Sequence, residues 1–180
     1  MADQFQRLIA ELTDVQGIAQ SDWGAENPLT RKSIRASIKQ TLNCSEDISD
    51  LETAPQLKNW STSVSHTKGF GGWVATQRPL RIGLDFEVAD RIKTSTVERI
   101  ATADEIAQAP DTRFLWCAKE ALYKALEADQ PVAVTQLTIG NWEPHGVFWR
   151  FKGKGPISNH GLVAVSGTII ISICVIPSPS

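Results

Sequence analysis

The sequence predicts an α+β protein organised in two lobes, and three observations lead there. Two runs of helix followed by strands succeed each other along the 180 residues, the order expected when helices pack on small antiparallel sheets. Residues 81–88 alternate strictly, with Ile82, Leu84, Phe86 and Val88 on one face and Gly83, Asp85 and Glu87 on the other, as a strand with one buried face does. Phe114, Leu115, Ala118, Leu122, Ala125 and Leu126 recur at helical spacing, with Trp116, Glu120, Lys124 and Glu127 on the neighbouring stripe. The lobes are expected to divide after the Asp85 strand, at 1–88 and 89–180, and they share no internal repeat.

Taken in order, residues 3–16 predict a helix, because Phe5, Leu8, Ile9, Leu12 and Val15 share one face. Residues 17–27 predict a loop. Pro28-Leu29-Thr30 opens a second helix reaching Leu42, apolar at Ile34, Ile38 and Leu42 and basic at Arg31, Arg35 and Lys39. Residues 43–53, rich in Asn, Ser, Asp, Glu and Thr, read as a connection. Strands are expected at 61–65, 72–77 and 81–88, with a Gly-rich turn over 65–72 between the first two. Residues 89–128 turn helical. One helix starts at 103–105, Ala109-Pro110 breaks it, and Asp111 or Thr112 caps the next. Strands follow at 134–142, 147–151, 162–166 and 169–175, and residues 177–180 form a loose tail.

Composition narrows the function. Eighteen basic against twenty acidic residues give a net charge of −2, so any anion site has to be a local cluster and bulk nucleic-acid binding is not expected. Cys44, Cys117 and Cys174 are odd in number and form no C-x-x-C, which points to a reducing compartment. His66, His145 and His160 lack zinc-ligand spacing. The most apolar run, 162–176, is interrupted by Ser166, Gly167, Thr168 and Ser172 and reads as strands rather than a membrane span. No secretory signal opens the chain. A cytoplasmic protein that binds neither membrane nor nucleic acid is expected.

The residues with chemistry fall in three stretches. Asp85 and Glu87 project side by side from one strand face. Adjacent carboxylates repel unless a positive group sits between them. A hard divalent cation is the natural candidate, although a solvated outer face is the simpler explanation of the alternation alone. Glu120 and Lys124, four residues apart, meet on a helix whose other face is apolar; Lys119 adjoins them. If that helix lies beside the Asp85 strand, three carboxylates flanked by two lysines suit a Mg²⁺–polyphosphate site. Ser65, His66 and Lys68 bring hydroxyl, imidazole and ammonium donors to the mouth of a turn, as an anion site needs. The Arg31, Arg35, Lys39 stripe is a solvated helix face, a phosphate clamp or a docking face for an acidic partner.

Ile82-Gly-Leu-Asp-Phe-Glu87, followed by Trp116-x-x-Lys-Glu-Ala-x-x-Lys124, resembles the paired signature of 4′-phosphopantetheinyl transferases. Ser63-Val-Ser-His66 is similar to a further motif of their two-lobed, surfactin-type branch, and residues 31–42 resemble that branch's basic N-terminal helix. The resemblance implies two similar α+β lobes with coenzyme A between them. It implies transfer of the phosphopantetheine arm to a serine of an acyl or peptidyl carrier protein, with release of adenosine 3′,5′-bisphosphate. By the same match Asp85, Glu87 and Glu120 would hold Mg²⁺ and Lys119 and Lys124 would contact phosphates. Ser65 and His66, with Arg31 or Arg35 and with Lys68 added, would receive the 3′-phosphate end. Glu120, or a water it holds, would take the serine proton. A chain with both lobes is expected to act as a monomer. Two other classes use the same residues: a Mg²⁺-dependent phosphohydrolase, and a non-catalytic module that binds carrier proteins.

Overall fold

The structure, a computed structural model, describes residues 18–25, 31–51, 54–68, 70–77, 79–126, 132–154 and 159–177. The helix expected over 3–16 and the start of the next at 28–30 lie outside the described residues. Among the described residues two antiparallel sheets carry the fold. The first has three strands in the order β1-β3-β2, with β1 Ile18–Ala25, β2 Trp60–Thr67 and β3 Phe70–Gln77. The second has five, in the order β4-β8-β7-β6-β5. These are β4 Leu80–Val88, β5 Thr138–His145, β6 Phe148–Lys154, β7 His160–Ser166 and β8 Ile169–Pro177.

Helix α1 (Arg31–Leu42) covers the outer face of the three-stranded sheet, burying Ile34 and Ile38 against Trp73 and Ala75. The Trp73 indole donates to Ser37 Oγ at 3.0 Å and so ties the helix to the central strand. The inner face of that sheet, through Phe70 and Val74, meets Ile82, Leu84, Phe86, Ile171, Ile173 and Val175 of the second. Short helices α2 (Thr94–Glu98) and α3 (Ala103–Gln108) lead to α4 (Thr112–Leu126). The Asp111 carboxylate accepts the Arg113 amide at 2.8 Å, which caps α4 as expected. Helix α4 buries Leu115, Ala118, Ala121 and Leu122 on the remaining face of the larger sheet, against Ile170, Cys174 and Ile176. The order through the molecule is helix, sheet, sheet, helix.

Strict alternation makes β4 a reliable strand. It pairs with β8 along its whole length, Asp85 opposite Ser172 and Glu87 opposite Ile170. The boundary expected after Val88 therefore cuts through the larger sheet. The sheets also differ in size, three strands against five. The expected loop at 17–27 is a correction as well: residues 18–25 form β1, paired with β3 from Ile18 opposite Thr76 to Ala25 opposite Phe70. A sequence of weak alternation is held there by the backbone ladder to a buried central strand, an outcome set by pairing rather than propensity. The Gly-rich turn is shorter than expected, since Gly71 and Gly72 are buried inside β3. The strand expected from 134 opens instead with a 3₁₀ turn, Val134–Gln136, where the Gln136 carboxamide accepts the Ala133 amide.

Candidate active site

Gly83 decides how the site is assembled. A Cβ at this position would collide with the carbonyl oxygen of Ala121, so only glycine lets α4 lie directly on β4. That approach brings Lys124, near the end of α4, over the strand. Its ammonium donates to Asp85 Oδ1 at 2.8 Å, to the Leu84 carbonyl at 3.0 Å and to Ser65 Oγ at 3.2 Å. Ser65 also accepts the Phe86 amide at 3.0 Å and donates to Asp85 Oδ1 at 3.3 Å. A hydroxyl has one proton and two lone pairs, so these three partners use all of Ser65.

A cavity of about 290 Å³ opens beside this cluster, where β2 and β4 lie side by side. Arg31 and Arg35 of α1, with His66, Leu51 and Ala54, form one wall; residues 62–65 of β2 form the floor; Asp85, Phe86, Glu87 and Lys124 form another wall. Arg31 Nε donates to His66 Nε2 at 2.6 Å and its Nη1 to the Leu51 carbonyl at 2.9 Å. Arg35 Nη2 reaches the Asp50 carbonyl at 3.3 Å. Burial pushes the Arg35 guanidinium below the usual arginine range; Asp50 opposes this and the charge of Arg31 adds to it. Two guanidiniums that repel across a partly dry wall favour an anion between them.

The acidic wall is asymmetric. Asp85 is 6% exposed, and its Oδ2 is buried without a hydrogen-bond donor among the described residues. Glu87 Oε1 accepts from Thr67 at 2.7 Å and from the Val88 amide at 2.8 Å, with Arg91 at 3.7 Å. Cys117 lies against this wall from the helix side; burial first, then the Asp85 charge, pushes its thiol well above the ordinary cysteine range. A hydrogen bond with the Asp85 carboxylate acts in the same direction, and a thiol kept neutral is no nucleophile. An oxygen left bare in a buried carboxylate, beside a second carboxylate on the same strand, fits a hard cation completed by substrate oxygens.

Two of the expected site residues stand elsewhere, and a third lies outside the cavity lining. Lys119 is 0% exposed and bonds the carbonyls of Ile100 at 2.7 Å and Leu137 at 2.6 Å and the Glu105 carboxylate at 3.0 Å. It points away from the cavity, because one step along a helix turns a side chain by about 100°. Lys68 is exposed at the β2–β3 turn and does not line the cavity. Glu120, half-buried on α4, does not line it either. Among the described residues no three His, Cys, Asp or Glu side chains form a group able to hold a metal; Asp85 and Glu87 line the cavity. Arg31, Arg35, Ser65, His66, Asp85, Glu87 and Lys124 do come together. Sequence reasoning missed Thr67 and Arg91, both on Glu87; the four-residue step from Glu87 to Arg91 was the available signal.

A family model, that of the 4′-phosphopantetheinyl transferase superfamily, matches residues 81–172, just over half of the chain. The chain belongs to this superfamily. Its members carry phosphopantetheine from coenzyme A to carrier proteins, and the α+β fold of antiparallel sheets and helices is compatible with that membership. The comparison with curated proteins gave no match. The matched segment of the transferase runs from the first residue of the buried part of β4 through α4 to β8, and so includes Asp85, Glu87, Glu120 and Lys124. The basic wall, with Arg31, Arg35 and His66, precedes it. No helix among the described residues is long and apolar enough to cross a membrane.

Proposed function

We propose that this transferase moves the 4′-phosphopantetheine arm of coenzyme A to a serine of an acyl or peptidyl carrier protein, with Mg²⁺, and releases adenosine 3′,5′-bisphosphate. One observation carries the reading: a single cavity has two guanidiniums and an imidazole on one wall and Asp85, Glu87 and Lys124 on another. A ligand with phosphate at one end and pyrophosphate further along suits that division of charge. The wall contributed by residues that precede the matched segment supports a surfactin-type member. It also supports a monomer in which two lobes flank the coenzyme, since one chain supplies both walls.

In this mechanism Arg31, Arg35 and His66 receive the 3′-phosphate. Asp85, through its bare Oδ2, and Glu87 would hold Mg²⁺. When bound, that ion supplies charge neutralisation at the pyrophosphate. Lys124, already held by Asp85 and the Leu84 carbonyl, contacts phosphate oxygens and balances charge on the departing bisphosphate. Glu120, one helical turn before Lys124, takes the carrier serine's proton directly or through a water it holds. Phosphoryl transfer depends mainly on positioning and charge neutralisation, which is what this set of residues offers.

The test is to incubate the protein with Mg²⁺, coenzyme A and an apo acyl carrier protein and weigh the carrier. A gain of one phosphopantetheine is the expected result. Coenzyme A broken down without carrier labelling would replace transfer by hydrolysis, and carrier binding without either reaction would make the chain a docking module.

A further inference from the structure

β4 is an edge strand of the five-stranded sheet, and its open edge faces the interior rather than water. Unpaired amides in such a place cost roughly 1–3 kcal/mol each. The amides are met by side chains. Ser61 Oγ accepts the Ile82 amide at 3.2 Å, Ser63 Oγ the Leu84 amide at 2.8 Å and Ser65 Oγ the Phe86 amide at 3.0 Å. Each bond spans 21 residues, and a constant offset means that β2 and β4 run parallel. Every second residue of β2 thus offers a hydroxyl to every second amide of β4. These three rungs, with Thr67 on Glu87 beyond them, join the two sheets where the described residues form no backbone ladder.

The middle rung has a special position. Ser63 is 4% exposed and holds the amide of Leu84, while Lys124 holds the carbonyl of the same residue. The next residue is Asp85. We infer that Ser63 is a positioning residue for the transferase: by gripping Leu84 from the β2 side, it sets where Asp85 and Lys124 stand relative to the basic wall. This rests on the transferase reading. Without the hydroxyl, the Leu84 amide has to find water or another acceptor, and the strand shifts. A displacement of about 1 Å at a phosphoryl-transfer site costs on the order of 10²-fold in rate.

The experiment compares wild type, Ser63→Ala, Ser63→Thr and Ser61→Ala by steady-state labelling of apo acyl carrier protein and by amide exchange at Ile82 and Leu84. Ser63→Ala is expected to lower kcat at least about tenfold, to change KM for coenzyme A less than about threefold, and to speed exchange at Leu84. Ser63→Thr restores both kcat and protection. Ser61→Ala, one rung further from Asp85, speeds exchange at Ile82 and keeps kcat within about twofold of wild type. Should Ser63→Ala fold poorly, Ser63→Cys keeps the volume, weakens the acceptor and gives the same readings. Wild-type kcat in Ser63→Ala, equal loss in the Ser61 and Ser63 variants, or no rescue by threonine would overturn the inference. If wild type labels no carrier, the transferase reading fails, while exchange at Leu84 still judges the rung.

Discussion

Two lysines five residues apart illustrate what one residue's surroundings decide. Lys124 and Lys119 look alike in sequence, each beside a glutamate on one helix. Lys124 sits on Asp85 at the cavity, 24% exposed, whereas Lys119 is sealed against Glu105 in the interior. Their variants should therefore fail differently. Lys119→Met strands a buried carboxylate and is expected to cost about 3–5 kcal/mol in urea unfolding. Adding Glu105→Met removes the stranded charge but leaves the Thr102 and Ile139 amides without their acceptor, so it should recover only part of that, with KM for coenzyme A unchanged in whatever fraction folds. Lys124→Met also unpairs Asp85, but beside an open cavity, so it should cost less stability than Lys119→Met and lower transfer on the order of 10²-fold in steady-state assays. Equal effects of the two on stability would contradict the separation. Asp85, Glu87, Lys124 and His66 were legible as chemistry because like charges and donors crowded together need a reason. The burial of Lys119 was not, since it depends on Ile100 and Leu137, far away in sequence.

At the scale of elements, β4 and α4 were readable because each carries a single period over its whole length. Their contact was not, as it hangs on the missing side chain of Gly83. Gly83→Ala is expected to destabilise the chain by roughly 3 kcal/mol, the upper end of overpacking. That lowers the melting temperature by about 10 °C. A variant melting with wild type would mean that α4 and β4 do not touch there. The junction of α3, α4 and β5 has its own signature. Burial alone would raise the Glu105 carboxyl, but the Thr102 and Ile139 amides and the Lys119 ammonium outweigh it and hold the group below the usual glutamate range. A carboxylate depressed on folding stabilises above its unfolded pKa, about 4.3. That contribution is lost as pH falls through the folded value. Urea unfolding from pH 7 to pH 3 should accordingly steepen below about pH 4.3 in wild type and flatten in Glu105→Gln. Strand β1 escaped the sequence reading because it is held by a ladder to β3, a pairing that alternation does not report.

For the whole molecule, the α+β class followed from the succession of helices and strands, but the partition of strands between sheets did not. β4 comes straight after β3 in the chain and yet joins β8, some ninety residues on. This crossing sets the edges of two sheets, β2 and β4, side by side and leaves the cavity between α1 and α4. The account's central claim is that this seam is where coenzyme A lies. A crystal structure of the protein soaked with coenzyme A and Mg²⁺ tests it most directly. The account predicts the 3′-phosphate at Arg31, Arg35 and His66 and the pyrophosphate beside Lys124, Asp85 and Glu87; coenzyme bound on another surface, with the seam left empty, would contradict it.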